Sequence, residues 1–374
     1  MDINQPRWKI PEYSKREINE AGATIRKASV SEEERTAALK IVDNWRSAHA
    51  YPLHVFYMNL RGKASAKKDI LVAERLKRME SIVGKLHRED GMQLYRMQDL
   101  GGCRMVLPTL QDVYAYSERF QKSRIRHERK KVNDYIQAPK KSGYRSLHLV
   151  YRFKTDTPDK EIYNQYPMLI ELQFRTHLQH IWATALETIG LFTNQALKAG
   201  QGNEGILRFF VVVSSLFALK EGCPVVPGTV ADEKELISEM ELLNEQHHIL
   251  DMLSAIRVAI DHDSDTVPDK KGYYILQLDY EKHLLKRLFF KPSELEQANK
   301  LYDYLEAKNA NAPLDIVLVR ATSYATVRDA YPNYFMDIGE FHINYICLFD
   351  YLFISSQMSA KPYFIGSTGI LLLW

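Results

Sequence analysis

From Ile170 onward, the stretch Leu169-Ile-Glu-Leu-Gln-Phe-Arg-Thr176 alternates between apolar and polar side chains. A period of two belongs to an extended strand, so Ile170, Leu172 and Phe174 face one way and Glu171, Gln173 and Arg175 the other. A strand with one apolar and one charged face must lie on a core and present its polar face to partners. It runs directly into a helix-forming segment from His177 to about Phe192. Cys103–Leu107, Val132–Ile136 and Ser146–Phe153 read as further short strands, with helices between them. The pattern predicts an α/β (α+β) fold around one mixed sheet with flanking helices.

Residues 12–60 read as helical, with Ser31 as an N-cap before three glutamates. Residues 69–89 give the clearest helical spacing, with Val72, Leu76, Met79, Val83 and Leu86 forming one stripe, and predict a single helix. Ile206–Leu219 is a run of 14 residues, too short to span a bilayer, and reads as a buried helix. Residues 222–228 form a turn-rich break, and residues 231–260 are expected to be one amphipathic helix. The polar segment 261–268 marks a domain boundary, dividing the chain into 1–265 and 266–374. Beyond it, Tyr273–Tyr280 and Asp315–Arg320 read as strands of a small C-terminal α/β domain. Between them Ser293–Ala307 reads as a helix capped by Ser293, with Glu296 at the capping-box position. Three cysteines, each more than 100 residues from the next, exclude a disulfide scaffold and paired-cysteine zinc knuckles. With no signal-peptide pattern, a reducing cytoplasm is the expected compartment, with no membrane partner.

Net charge is only +3, but residues 119–131 (RFQKSRIRHERKK) carry seven Lys/Arg against one Glu. Such a run serves equally as a solvated surface or as a docking surface for a polyanion. On a helix over 69–89, Lys77, Ser81 and Lys85 share one face, with Arg75 nearby, an arrangement that either simply faces solvent or holds a triphosphate. Asp99 precedes two glycines and a strand, a position common to metal ligands and to plain turn caps. Lys140, Lys141 and Arg145 surround Gly143-Tyr144 in a loop, where a tyrosine on an exposed basic segment is suited to stacking on a nucleobase. Glu171 and Asp99, on separate strands, can be brought together by a sheet as a carboxylate pair for Mg²⁺.

These stretches, in this order and spacing over roughly residues 60–200, resemble the synthetase domain of the RelA/SpoT family. They are Arg75-Leu-Lys77, Ser81, Lys85, Asp99 with Arg104, Asp134-Tyr-Ile, Ser142-Gly-Tyr-Arg-Ser-Leu-His148 and Glu171-Leu-Gln-Phe-Arg-Thr176. The resemblance implies transfer of the β,γ-pyrophosphate of ATP to a ribose 3′-hydroxyl with Mg²⁺, a reaction governed by positioning and charge neutralisation. It implies ATP contacts from Arg75, Lys77, Ser81, Lys85 and Arg104, and a metal ligand at Asp99. It further implies base stacking by Tyr144, and a second metal ligand or a base at Glu171. Lys140, Lys141, His148, Gln173 and Arg175 fall to the acceptor side. No His/Asp metal constellation lies upstream of Arg75, unlike the bifunctional members with a hydrolase domain, and Met97-Gln98 departs from the usual charged residues there.

The chain looks most like the toxic small alarmone synthetases, which modify the 3′-CCA end of tRNA and so block translation. In that reading Arg124, Arg126, Lys130 and Lys131 dock tRNA through its phosphates. The alternative is a GDP/GTP pyrophosphokinase, an alarmone synthetase with an allosteric tail. A catalytically dead RNA-binding module is the rival from another class. Residues 331–341 resemble the C-terminal pseudo-zinc-finger of fused toxin–antitoxin members called CapRel. That likeness implies no zinc, silencing of the ATP site in cis, and release by a phage major capsid protein in abortive infection; the near-neutral, aromatic tail offers Tyr345 and Tyr351 as the occluding residues.

Overall fold

The computed structural model describes residues 8–27, 29–64, 69–192, 197, 202–258, 261–262, 268–279, 284–309, 314–321 and 323–330. Three helices open the chain: α1 (Lys15–Arg26), α2 (Glu32–Ala48) and α3 (Ala50–Ala64). Ser14 and Ser31 cap α1 and α2, each in a capping box with the glutamate three residues on. The first sheet holds β1 (Leu71–Leu76), β2 (Gly101–Leu107), β3 (Glu128–Asp134), β4 (Leu147–Arg152) and β5 (Leu169–Thr176). Their order is β1-β2-β5-β4-β3, with β2 and β5 parallel and the other pairs antiparallel. The mixed sheet matches the expected class.

One face of this sheet is apolar. Val72, Cys103, Met105, Leu149, Ile170, Leu172 and Phe174 pack there against α1–α3 and against α5 (Leu110–Gln121) in one core. Gly101 is dictated by this packing: a Cβ there would lie 2.8 Å from Ile170 Cδ1 and against α3. The opposite face carries Arg75, Arg104, His148, Glu171, Gln173 and Arg175, since residues paired across a sheet project to the same side.

The single helix expected over 69–89 is a strand followed by a helix. Leu71–Leu76 pairs with β2, and α4 (Met79–Arg88) begins only after a turn at Lys77-Arg78. The 4-3-4-3 spacing crosses that turn by coincidence, because Val72 and Leu76 lie on the strand whereas Ile82 and Leu86 are the buried residues of the helix. No sequence signal marks the break, because the N-cap Arg78 makes no side-chain cap. Tertiary contacts fix the turn instead: Lys77 N–H donates to Leu100 O at 2.8 Å.

Helices α6 (His177–Phe192) and α7 (Glu204–Lys220) follow as expected. The helix expected over 231–260 is two, α8 (Glu233–His247) and α9 (Ile249–Val258), split at His248, whose φ of 49° is left-handed. The second sheet orders its strands β6-β8-β7-β9, from β6 (Asp261–His262), β7 (Gly272–Asp279), β8 (Leu284–Phe290) and β9 (Leu314–Ala321). Residues 284–290, unassigned from sequence, form its inner antiparallel partner to β7. Helix α10 (Leu295–Lys308) starts at Glu294 with no side-chain cap, not at Ser293, which lies in a preceding 3-10 turn over Pro292–Glu294. Helix α11 (Tyr324–Ala330) ends the described residues.

The expected boundary segment does not separate two cores. One hydrophobic cluster runs from α6–α9 into the second sheet, joining Ile181, Phe209, Met240 and Leu253 to Tyr274, Leu276, Val317 and Ala330. A polar latch joins the same parts elsewhere. The Arg46 guanidinium, 1% exposed, meets Glu306 at 2.8 Å and the Tyr302 hydroxyl at 3.1 Å. Tyr302 in turn donates to Glu306 at 2.7 Å. Among the described residues no helix is long and apolar enough to cross a membrane.

Candidate active site

The site lies on the polar face of the first sheet, where β2 and β5 run side by side. Arg75, Gly102 and Glu171 form one transverse row, and Ala73, Arg104, Gln173 and His148 the next. A Cβ on Gly102 would meet only the backbone oxygens of Glu171 and Arg75, at 3.8 and 3.9 Å, so the surface between these two side chains is hollow. The two adjacent glycines therefore do different work, the first closing the core and the second opening the site.

Asp99, just ahead of β2, gathers two cations. Lys77 Nζ donates to its Oδ2 at 2.8 Å and Lys85 Nζ to its Oδ1 at 3.0 Å. Burial pushes the Asp99 carboxyl up, but the two ammonium groups outweigh it and bring it down to about 2. Lys85 and Ser81 share one face of α4 at i, i+4, while Lys77 precedes the helix in the turn. The three residues expected along one helix are thus drawn together by a strand–turn–helix unit instead.

Glu171 anchors the other half. Its Oε1 accepts from His148 Nδ1 at 2.9 Å and its Oε2 from Gln173 Nε2 at 2.7 Å. Burial opposes ionisation of Glu171, and His148 overcomes it, so its pKa is lowered; the Asp99 charge acts in the opposite direction. Burial likewise opposes charge on His148, but Tyr144 and Glu171 prevail and its pKa is raised. His148 Nε2 lies 2.8 Å from the Tyr144 hydroxyl. Arg175 Nη2 donates to that hydroxyl at 2.7 Å and to Gln173 Oε1 at 3.0 Å.

The loop that bears Tyr144 differs from expectation. Arg145 is 2% exposed and pairs with Glu221 at 2.6 Å, so it supports structure rather than a basic surface. Gly143 has a φ of +88°, and its carbonyl accepts from Ser214 of α7 at 2.6 Å. A Cβ at Gly143 would strike Trp182 at 2.8 Å. Held this tightly, Tyr144 is half-buried, and its ring packs against the second core. Lys140 and Arg175 each stand 5.2 Å from the ring centroid. Lys140 and Lys141 are exposed. Tyr135, unassigned from sequence, sits 6.1 Å from Tyr144 and 5.2 Å from His148, with Lys140 over its ring at 4.3 Å. Its place in the Asp134-Tyr-Ile stretch was the available signal.

Arg104 faces the C-terminal part, donating to Ala330 O at 3.3 Å. His180, 5% exposed on α6, lies 3.3 Å from Asp329 O, and burial together with Arg104 and Arg175 drives its pKa well down. The basic run 119–131 covers the end of α5 and the edge strand β3. Arg124, Arg126, Lys130 and Lys131 are all exposed. Arg126 pairs with Asp156 and Lys130 with Glu128. Lys131 is on the Glu171 face of the sheet, opposite Val150. Tyr345 and Tyr351 lie outside the described residues.

Among the described residues no group of three or more His, Cys, Asp and Glu side chains gathers. What the face offers a cation is two ionised carboxylates, Asp99 and Glu171. That donor set fits Mg²⁺, which takes one or two carboxylates and completes its shell with water and substrate phosphates.

Residues 74–190 match the family model described as a region found in RelA / SpoT proteins. The matched segment contains every site residue from Arg75 to Arg175 and stops short of the second sheet. GTP pyrophosphokinase YwaC of Bacillus subtilis (strain 168) is 33% identical over 119 residues, 29% of this chain and 52% of that protein. GTP pyrophosphokinase YjbM of the same strain is 32% identical over 115 residues, 30% of this chain and 52% of that protein. The chain thus spans about half the length of the curated relatives it matches. Among solved structures, small alarmone synthetase 1 from Bacillus subtilis bound to its product pppGpp aligns with a TM-score of 0.40. Its identity is 23%, over 46% of this chain and 89% of that one. Small alarmone synthetase 2 from the same organism aligns at 0.40 and 22%, over 48% and 94%.

Proposed function

We propose that this chain is an ATP-dependent pyrophosphokinase, moving the β,γ-pyrophosphate of ATP to a ribose hydroxyl. The observation that carries the reading is the juxtaposition of a cationic cluster around Asp99 with an ionised, hydrogen-bonded Glu171 on one sheet face. Lys77, Lys85, Ser81 and Arg75 bind and neutralise the triphosphate, and Arg104 lies at its outer edge. Asp99, with Glu171 beside it, would hold Mg²⁺, whose contribution is to neutralise charge on the transferred phosphates. Glu171 accepts the proton of the attacking hydroxyl, and Gln173 and His148 fix its two oxygens. Lys140, Lys141 and Tyr144 border the acceptor.

The names of the two relatives make GDP or GTP the acceptor to test first, giving an alarmone synthetase. The 3′-CCA end of tRNA is the second reading, favoured by the exposed cations of β3, one of them on the Glu171 face. The test is incubation with γ-labelled ATP and GDP, GTP or tRNA. The expected result is label on one acceptor with release of AMP; release of ADP refutes pyrophosphoryl transfer. Neutralising Arg124, Arg126, Lys130 and Lys131 together lowers tRNA labelling and flattens its salt dependence if tRNA is the acceptor, and leaves GTP labelling unchanged.

We also propose that residues 266–374 regulate the site in cis as an antitoxin-like part, with Tyr345 and Tyr351 as occluding residues and a phage major capsid protein as the releasing partner. Support comes from the contacts of Ala330 with Arg104 and of Asp329 with His180, and from the CapRel-like segment 331–341. The full chain carrying Tyr345→Ala and Tyr351→Ala should then block bacterial growth where the wild-type chain does not; equal growth refutes occlusion by these residues.

A further inference from the structure

Tyr144 is the one site residue whose ring and hydroxyl suggest different jobs. A tyrosine that serves as a stacking platform needs a free face and can leave its hydroxyl in water. Here the loop is clamped by Gly143, Ser214 and Arg145, the ring is half-buried, and the hydroxyl is the most constrained part of the side chain. It lies 2.8 Å from His148 Nε2 and 2.7 Å from Arg175 Nη2. The opposite nitrogen of the same imidazole is 2.9 Å from Glu171. Arg175 is 2% exposed and makes no ion pair with a carboxylate among the described residues; its hydrogen-bond partners are the Tyr144 hydroxyl and the Gln173 amide oxygen. A buried guanidinium calls for an anionic or strongly polar partner, and the phenol oxygen fills that role.

We propose that Tyr144 acts through its hydroxyl as a positioning residue: anchored by Arg175, it holds His148, and through His148 it aims Glu171 at the acceptor hydroxyl. The inference rests on Glu171 being the proton acceptor in the proposed reaction. The chain of contacts has a definite polarity: Arg175 donates to the phenol, the phenol and imidazole share a proton, and the imidazole donates to the carboxylate. Gln173 closes the loop, donating to Glu171 with its amide nitrogen and accepting from Arg175 with its oxygen. Removing the phenol oxygen frees one end of the imidazole and takes from Arg175 one of its two partners. Groups that face the phenol are Arg175 and Glu171 from β5, His148 from β4, and Lys140 and Tyr135 from its own loop. Burial raises the phenol pKa, but Arg175 and then His148 outweigh it and bring it to about 7, in keeping with a hydroxyl built into a charged network.

The experiment compares full-length wild type with Tyr144→Phe and Tyr144→Ala, measuring kcat and acceptor KM with the acceptor that wild type labels. Phenylalanine keeps the ring and removes only the oxygen. The proposal expects Tyr144→Phe to keep KM within about twofold while kcat falls roughly 10–100-fold, the scale of a misaligned reacting group, and Tyr144→Ala to lose both. Wild-type kcat in Tyr144→Phe overturns it, as does a raised KM with unchanged kcat, which marks a ground-state contact. A second readout needs no turnover: the 15N shifts of the His148 ring, assigned with His148→Gln, in wild type and in Tyr144→Phe. A changed hydrogen-bonding state of Nε2 supports the contact, and ring shifts identical in the two proteins overturn it. If wild type labels no acceptor, the pyrophosphokinase reading itself falls, a result distinct from either failure of the variant.

Discussion

The latch between Arg46 and Glu306 makes a quantitative prediction. Glu306→Ala removes an ion pair at 2.8 Å from a guanidinium that is 1% exposed, and the acceptor for the Tyr302 hydroxyl. Removing one partner of a buried pair costs about 3–5 kcal/mol. Two features lower that figure here. Asp43 remains 3.2 Å from the same guanidinium, and Glu306 itself is 16% exposed rather than fully buried. The expected loss is about 2–3 kcal/mol, read as a lower urea midpoint at unchanged slope. The double variant Arg46→Met/Glu306→Leu replaces both charges with apolar groups and should recover to within about 1 kcal/mol of wild type. If Glu306→Ala costs less than about 0.5 kcal/mol, or if the double variant is no better than the single, the latch does not hold α10 to α2 and the reasoning fails.

Three further outcomes follow from the same geometry. Asp99→Asn should abolish transfer while folding normally, because it keeps the shape but removes the charge shared by Lys77, Lys85 and a cation; turnover at wild-type rate refutes the role. Gly101→Ala should destabilise by about 1–3 kcal/mol through its clash with Ile170, whereas Gly102→Ala should cost little, and equal melting temperatures for the two refute the division of labour. Acid should weaken the fold through His49, which is fully buried and donates from Nδ1 to Trp45 O at 2.7 Å. Burial lowers its pKa from 6.5 to about 4, the backbone contact opposing. The unfolded chain therefore binds the proton first: the stability is whole above pH 6.5 and about 3 kcal/mol of it is lost as pH falls from 6.5 to 4. A His49→Gln variant that loses stability over that window as steeply as wild type refutes it.

Much of the first sheet was legible because its strands carry local signals. The alternation in 169–174 survives in the burial of β5 and ends where Arg175 and Thr176 are both buried, and the apolar run 206–219 lies within α7. Where the sequence misled, the deciding contacts came from elsewhere in the chain. The turn at Lys77-Arg78 has neither glycine, proline nor cap residue, and the distant Leu100 carbonyl fixes it. The break at His248 uses a left-handed residue that is not glycine. The residue types of the site were readable from their order, but their grouping was not. Lys77 and Lys85 meet on Asp99 only because β1 ends and the chain turns before α4, and the burial of Tyr144 depends on Ser214 and Glu221, about 70 residues further on.

That dependence has a consequence for the order of events during synthesis. The Asp99 half of the site is complete once β2 is made, since Lys77 and Lys85 precede it. The Glu171 half needs β5 to pair in parallel with β2, a long-range closure that is slow compared with hairpin formation. Its loop is then clamped only when the end of α7 supplies Glu221 to Arg145 and Thr176. The residues of the cation cluster are therefore all synthesised before β5, whose Ile170, Leu172 and Phe174 complete the core beneath both halves. The two halves of the candidate site are thus supplied in sequence order, the Asp99 cluster from residues 77–99 and the Glu171 network only once residues 144–175 and their clamp at Glu221 have been made.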